Sequence, residues 1–83
     1  MSETMDILLT FHATSAAMRA EKCCQAEEME AKLRPVPREL SSSCGLALEL
    51  NQVRLASLKE TLKANNIDTE AIYHDDAGYE QIE

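Results

Sequence analysis

The chain has 83 residues, of which 28% are charged, and its formal net charge is -7 at pH 7. This length suffices for one small hydrophobic core, so we expect a single domain over residues 1–74, followed by an acidic, mobile tail over residues 75–83. The negative charge argues against a nucleic-acid partner, because phosphate contacts require clustered lysine and arginine side chains.

The beginning of the chain and its cysteines indicate a compartment. The apolar segment around residues 7–9 is too short for a signal peptide or a membrane span, so we predict a cytoplasmic protein without a membrane partner. The three cysteines form no C-x-x-C pair. An odd count of this kind is typical of reduced thiols and not of disulfides or a zinc site. The sequence therefore predicts no metal and no other cofactor.

Hydrophobic periodicity predicts alternating strands and helices. The predicted elements, in chain order, are strand 5–12, helix 15–28, strand 29–34, strand 46–50, helix 53–64 and strand 69–74. Thr14 or Ser15 would cap the first helix, and Asn65-Asn66 would end the second in a left-handed conformation. This order is that of an α+β, ferredoxin-like split βαβ fold. It would place both helices on one face of a four-stranded antiparallel sheet.

The loop between the second and third predicted strands is the most distinctive segment of the chain. Residues 37–45 read Pro-Arg-Glu-Leu-Ser-Ser-Ser-Cys-Gly, which brings one thiol together with three hydroxyls and a guanidinium. In the predicted topology this loop lies at the same end of the sheet as His12 and the start of the first helix. A helix N-terminus presents unpaired amides and partial positive charge, so a thiol placed there ionises more easily.

We therefore predict a thiol site centred on Cys44. Arg38 would add a second positive charge, and His12 would accept or donate a proton. The residues predicted to bind an anion or to shape the turn are Ser41, Ser42, Ser43, Gly45 and Thr14. Each also has a purely structural interpretation: His12 as a strand-end histidine, Arg38 in a surface pair, and the serines as a linker. Two further cysteines and a histidine should lie at the opposite end of the domain: Cys23, Cys24 and His74.

These motifs resemble those of the selenium/sulfur carrier-like proteins, formerly a domain of unknown function. The resemblance covers about residues 6–74 and rests on Thr10-Phe11-His12, on Ala20-Glu21-Lys22 and above all on residues 37–45. It implies that Cys44 carries sulfur or selenium as a persulfide or selenopersulfide. The implied partners are donor and acceptor proteins, with a cysteine desulfurase as one candidate donor.

The sequence departs from this family at the end of the first helix. Members commonly have a glycine there, whereas this chain has Glu27-Glu28-Met29, which leaves the helix end uncertain. Cys23-Cys24 replaces larger aliphatic residues. Neither departure touches the loop at residues 37–45.

Functions from different classes remain open. One is the thiol-based carrier, and the other is a non-catalytic module that binds a small anion or a protein through the same loop. A redox-sensing thiol is less favoured, because no resolving cysteine neighbours Cys44. The sequence favours a carrier or binding protein over a stand-alone enzyme. An exposed edge strand in so small a sheet would also permit a homodimer.

Overall fold

The computed structural model describes residues 4–40 and 42–83, which form two helices and one five-stranded antiparallel sheet. The elements in chain order are β1 (Met5–Thr10), α1 (Thr14–Ala26), β2 (Glu30–Pro35), β3 (Leu46–Val53), α2 (Leu55–Ala64), β4 (Ala71–Asp75) and β5 (Tyr79–Gln81). The strand order is β2-β3-β1-β4-β5. The predicted α+β class with two helices and an antiparallel sheet is confirmed.

The predicted number of four strands is wrong, because β5 adds a fifth strand within the segment expected to be a tail. A turn at Ala77 and Gly78, both with positive φ, reverses the chain and pairs β5 with β4. Ile82 then packs against the core, and the Glu83 carbonyl accepts a hydrogen bond of 2.7 Å from the Ile72 amide. Three residues give too short a pattern to identify such a strand, since its position depends on these distant contacts.

The core lies between one face of the sheet and both helices. Ile7 and Leu9 of β1 point to this face, and Phe11 continues it beyond the strand. The fully buried partners from other elements are Leu48, Leu50, Ala17, Ala20, Cys24 and Leu58. Burying one large apolar side chain of this kind contributes about 1.5–3 kcal/mol. Because the α1 residues in this core are small, the helix can lie close to the sheet.

Both helices end in a left-handed residue. Helix α1 ends at Ala26 instead of the predicted Glu28, and Glu28 adopts a φ of 62°. The Met29 amide donates to the Cys24 carbonyl at 2.9 Å, which satisfies a carbonyl in the last turn of α1. Helix α2 ends at Ala64 and is likewise followed by a left-handed residue, Asn66, with a φ of 54°, so the predicted asparagine stop is confirmed.

The N-terminus of α1 differs from the prediction. Its cap is Ala13, which offers no side-chain hydrogen bond, so neither Thr14 nor Ser15 caps the helix. The first backbone hydrogen bonds of the helix are accepted by the Ala13 carbonyl, from the amides of Ala16 and Ala17. The amides of Thr14 and Ser15 therefore have no acceptor within the described part of the chain.

The free edge of β2 is covered by α1. The Gln25 side-chain amide donates to the Ala31 carbonyl at 3.0 Å, and the Leu33 amide donates to the Glu21 carboxylate at 3.3 Å. These side chains occupy backbone groups that would otherwise be open to another strand. Among the described residues, no helix is long and apolar enough to cross a membrane.

Candidate functional site

The loop that carries Cys44 is closed at its base by backbone pairing. The Val36 amide donates to the Gly45 carbonyl at 3.1 Å, and a turn within the loop joins the Leu40 amide to the Pro37 carbonyl at 3.0 Å. Gly45 has a φ of 75°. Apart from its two chain neighbours, no described residue has an atom within 4 Å of the position that a Cβ would take here, so the backbone conformation, and not lack of space, favours glycine.

The Cys44 sulfur lies against the first residue of β3. The Leu46 amide donates to Sγ at 3.4 Å, and Sγ lies 3.3 Å from the Leu46 carbonyl, to which the thiol can donate. The Ser42 hydroxyl oxygen is 3.9 Å from Sγ. Cys44 is half-buried and packs against the core. The protonated thiol therefore has a carbonyl acceptor, and the thiolate has a backbone amide donor.

Ser42 connects the thiol to the end of β1. Its hydroxyl donates to the Phe11 carbonyl at 3.1 Å. A hydroxyl has one hydrogen to donate, so a thiolate at Cys44 would compete with the Phe11 carbonyl for it. Ser42 thus couples the protonation state of the sulfur to the attachment of the loop to β1.

Ser43 is bonded to Glu70, which directly precedes β4. Its amide donates to Glu70 Oε1 at 3.2 Å, and its hydroxyl donates to Oε2 at 2.8 Å. These bonds, that of the hydroxyl first, lower the pKa of Glu70 below its ordinary value. The amide of Glu70 donates to the Thr10 carbonyl at 2.7 Å, so the carboxylate projects from a fixed point of the sheet.

His12 is brought to the same carboxylate. Its Nδ1 lies 3.7 Å from Glu70 Oε2, and its side chain is 65% exposed. His12 and Ser43 of the Cys44 loop therefore lie at the same carboxylate oxygen of Glu70. The observed partner of His12 is Glu70, however, and the hydrogen-bond partners of Sγ among the described residues are Ser42 and Leu46, not His12.

Three candidates remain to be placed: Thr14, Arg38 and Ser41. Thr14 is exposed at the first position of α1. Arg38 is exposed and has no hydrogen bond or ion pair with any residue in 4–40 or 42–83. Ser41 lies outside the described residues. The proposed roles of these residues therefore remain predictions.

The other cysteines and the second histidine are elsewhere. Cys24 is buried in α1, and burial, with a smaller effect of Cys23, raises the pKa of its thiol to about 11. His74 of β4 pairs with Ile7, near the opposite end of β1. Among the described residues, no group of three or more His, Cys, Asp and Glu side chains could hold a metal ion. Of the three free cysteines, Cys44 therefore combines partial exposure with polar neighbours.

Glu70 is the residue of this site that the sequence analysis missed. A signal for it was present, because the predicted last strand runs antiparallel to the first and so begins where the first one ends. A carboxylate at the start of that strand must lie near His12 and the loop.

A comparison with known families is consistent with these contacts. A family model described as "Putative Se/S carrier protein-like" matches residues 6–74. This range contains the whole Cys44 loop and every element from β1 to β4, except for Met5 at the start of β1 and Asp75 at the end of β4. No curated protein and no solved structure matches the chain significantly.

Proposed function

Because the chain belongs to the family of Se/S carrier-like proteins, we propose that it carries a sulfur or selenium atom on the thiol of Cys44. The observation that supports this most directly is the placement of Sγ. It is half-buried at the end of an anchored loop, within 3.4 Å of the Leu46 amide and 3.9 Å of the Ser42 hydroxyl. A carrier needs an accessible thiolate and nearby donors, and it does not need a deep substrate pocket.

The proposed cycle consists of two exchanges without net oxidation. The Cys44 thiolate attacks the outer sulfur of a persulfide on a donor protein, such as a cysteine desulfurase. A bond forms between Cys44 and that sulfur, while the donor's sulfur–sulfur bond breaks and the donor leaves as a thiolate. An acceptor nucleophile then attacks the same outer atom, and Cys44 leaves as a thiolate. Selenium would follow the same steps as the outer atom of a selenopersulfide.

The surrounding residues have distinct proposed roles. The Leu46 amide and the Ser42 hydroxyl stabilise negative charge on Sγ. The amides of Thr14 and Ser15, which have no acceptor among the described residues, and the Arg38 guanidinium favour an anionic group on the approaching partner. His12 exchanges a proton with solvent or with the leaving thiolate.

The loop glycine and the remaining serines shape the chain around the thiol. We assign Gly45 the turn between Cys44 and the start of β3, since its φ of 75° favours glycine. Ser41 supplies a further donor for the transferred atom. Ser43 holds the loop in position, because its amide and its hydroxyl both donate to Glu70.

We also propose a fold type, a domain boundary and a cellular compartment for the protein. Without β5, the βαββαβ order with both helices on one face is that of a ferredoxin-like split βαβ fold. We place β5 as an addition to its β4 edge, and we extend the domain beyond residue 74 to include Ile82, which packs on the core. The three free thiols support a reducing, cytoplasmic location.

Mass spectrometry of the intact protein tests the carrier function. The reduced protein is incubated with a cysteine desulfurase and either cysteine or selenocysteine, and then weighed without reductant. We expect the mass of one sulfur or selenium atom to be added to the wild-type protein. The adduct should be absent from Cys44→Ser and present in the Cys23→Ala/Cys24→Ala variant. An unloaded wild-type protein with active donors of both elements would contradict the proposal.

A binding module is the second candidate, and one contact favours it. The Ser43 amide and hydroxyl together hold the Glu70 carboxylate, so loop donors at this position do bind an anionic group. An external carboxylate or phosphate would take the same donors after displacing Glu70. Binding of an anionic ligand or partner that is unchanged in Cys44→Ser, together with no adduct in the loading experiment, would favour this module over the carrier.

A further inference from the structure

Glu70 joins three segments of the site that are far apart in the sequence. Its amide bonds to the end of β1, its carboxylate holds Ser43 of the loop, and the same carboxylate lies 3.7 Å from His12 Nδ1. We propose that Glu70 is a positioning residue for Cys44. It acts through Ser43 and fixes the thiol in the geometry that a protein donor requires, so the proposal rests on the carrier function proposed above.

Consecutive loop residues have separate anchors, and this makes the role of Glu70 specific. Ser42 bonds to the Phe11 carbonyl, Ser43 bonds to Glu70, and the Cys44 sulfur lies against Leu46. Ser43 directly precedes Cys44, and its amide and side chain are both bonded to one carboxylate. Both the backbone rotation and the side-chain rotation of Ser43 are therefore restricted. Ser43 is itself exposed, so packing does not replace these bonds.

The chemical character of the bonds explains why a carboxylate is needed. An ionised acceptor makes hydrogen bonds about twice as strong as a neutral one, and it can accept from two donors at once. The bond between the Glu70 amide and the Thr10 carbonyl, at 2.7 Å, fixes the backbone from which this carboxylate projects. The sheet therefore holds Ser43, the residue next to Cys44, through the Glu70 carboxylate. Removing this carboxylate would loosen the loop and leave the sheet intact.

Loosening the loop should affect two reactions of Cys44 in opposite directions. Sγ is half-buried in the anchored loop, so a small reagent such as iodoacetamide should reach it more easily in a loosened loop. Transfer from a donor protein should become slower, because both sulfur atoms must be aligned within a docked complex. Global unfolding would give the same pair of changes, because it also exposes the thiol and abolishes docking, so the two rates are compared only for variants that circular dichroism shows to be folded.

The experiment compares Glu70→Ala, Glu70→Gln, Ser43→Ala and the double variant Ser43→Ala/Glu70→Ala, all in a Cys23→Ala/Cys24→Ala background. We measure the alkylation rate with iodoacetamide and the rate of persulfide loading from a cysteine desulfurase. Glu70→Ala should load about tenfold more slowly, which corresponds to roughly 1.4 kcal/mol, and should be alkylated faster. Glu70→Gln should recover part of the loading rate, because its amide oxygen still accepts one bond from Ser43.

The double variant tests whether Glu70 acts through Ser43. Its loading rate should match that of Glu70→Ala, since Glu70→Ala already breaks both bonds to Ser43, including the hydroxyl bond that Ser43→Ala removes. Additive effects would overturn the proposal. Glu49→Gln is the matched control: its carboxylate bonds Arg34 at 2.8 Å on β2, and its side chain is 27% exposed compared with 25% for Glu70. This control should change neither rate.

The outcomes separate this proposal from the carrier function. A wild-type protein that is never loaded contradicts the carrier function, and it overturns the positioning role with it, even where Glu70→Ala speeds alkylation. If the wild-type protein is loaded, loading of Glu70→Ala at the wild-type rate overturns the role of Glu70 alone. That role is also overturned if Glu70→Ala and Glu49→Gln slow loading equally, because such a result would reflect general destabilisation.

Discussion

The Glu70 carboxylate accepts two hydrogen bonds from Ser43, a residue 27 positions earlier in the chain and adjacent to Cys44. Through this pair, the start of β4 determines where the loop between β2 and β3 lies. The hydroxyl bond, at 2.8 Å, is the shorter of the two. The thiol loop is therefore attached to the sheet at Phe11 and at Glu70, in addition to its covalent ends.

The titration of Glu70 should report this attachment. Its pKa is lowered, primarily by the Ser43 hydroxyl, so NMR of the side-chain carboxyl should give a midpoint below the ordinary value of about 4.3. Because the folded pKa is depressed, the stabilisation is present above the unfolded pKa and is lost as the pH falls through the folded pKa. Ser43→Ala should raise the midpoint. An unchanged midpoint in Ser43→Ala would contradict this assignment.

The same pair has a consequence for stability at acidic pH. We expect the difference in unfolding free energy between the wild-type protein and Glu70→Gln to shrink as the pH falls through the depressed pKa of Glu70, because protonation removes the charge that glutamine lacks. Urea denaturation at several pH values measures this difference. Ser57→Ala, in α2 and away from the loop, is a control whose difference from wild type should not change over this range.

Replacing Glu28 by glycine should make the folded protein more stable. It adopts a φ of 62° after α1, a conformation that costs a residue with a Cβ about 1–2 kcal/mol and costs glycine little. Glu28→Gly should therefore raise the unfolding free energy by up to about 1 kcal/mol, after the greater flexibility of glycine in the unfolded chain is subtracted. Chemical denaturation measures the change. Glu27→Gly is the control: Glu27 has a φ of -92°, and this variant should be no more stable than the wild-type protein.

The order of β1, α1, β2, β3, α2 and β4 could be predicted from the sequence because each element has its own local pattern. The alternation of apolar and polar residues around Leu48 indicates a strand, and the stripe of small residues around Ala20 indicates a helix. Each pattern lies within one segment of the chain. β5 and the Glu70–Ser43 bonds have no such local pattern. They result from the turn at Gly78 and from the antiparallel placement of β4 beside β1, so they depend on how distant strands are arranged and not on the pattern of any one segment.

The ends of α1 were difficult to predict for a related reason. A hydroxyl at Thr14 or Ser15 is a good local signal for a cap, yet the chain enters the helix one residue earlier, at Ala13. At the other end, Glu28 has no intrinsic preference for a left-handed conformation. The buried position of Cys24 and the start of β2 at Glu30 leave room for only a tight turn, so tertiary packing overrides local preference.

Thr10 should tolerate loss of its hydroxyl. The residue is 1% exposed, and its Oγ1 has no hydrogen-bond partner among the described residues. A buried hydroxyl without a partner costs about 1–3 kcal/mol in proteins, so Thr10→Val, of nearly the same shape, should raise the unfolding free energy. Denaturation with urea measures the change. Thr61→Val is the control, since Thr61 Oγ1 donates to the Ser57 carbonyl at 3.0 Å and its loss should not stabilise. Destabilisation by Thr10→Val would show that the hydroxyl is satisfied.

The edge of β2 should resist pairing with another copy of the chain because Glu21 and Gln25 occupy its backbone groups. Gln25 donates to the Ala31 carbonyl, and Glu21 accepts from the Leu33 amide. Replacing both α1 side chains by alanine would free these groups, and an open edge strand is a template for self-association. We expect sedimentation velocity to show a dimer for Glu21→Ala/Gln25→Ala at concentrations at which the wild-type protein and the exposed-site control Lys22→Ala sediment alike as monomers. A wild-type dimer that persists unchanged in the double variant would show that any homodimer uses another surface.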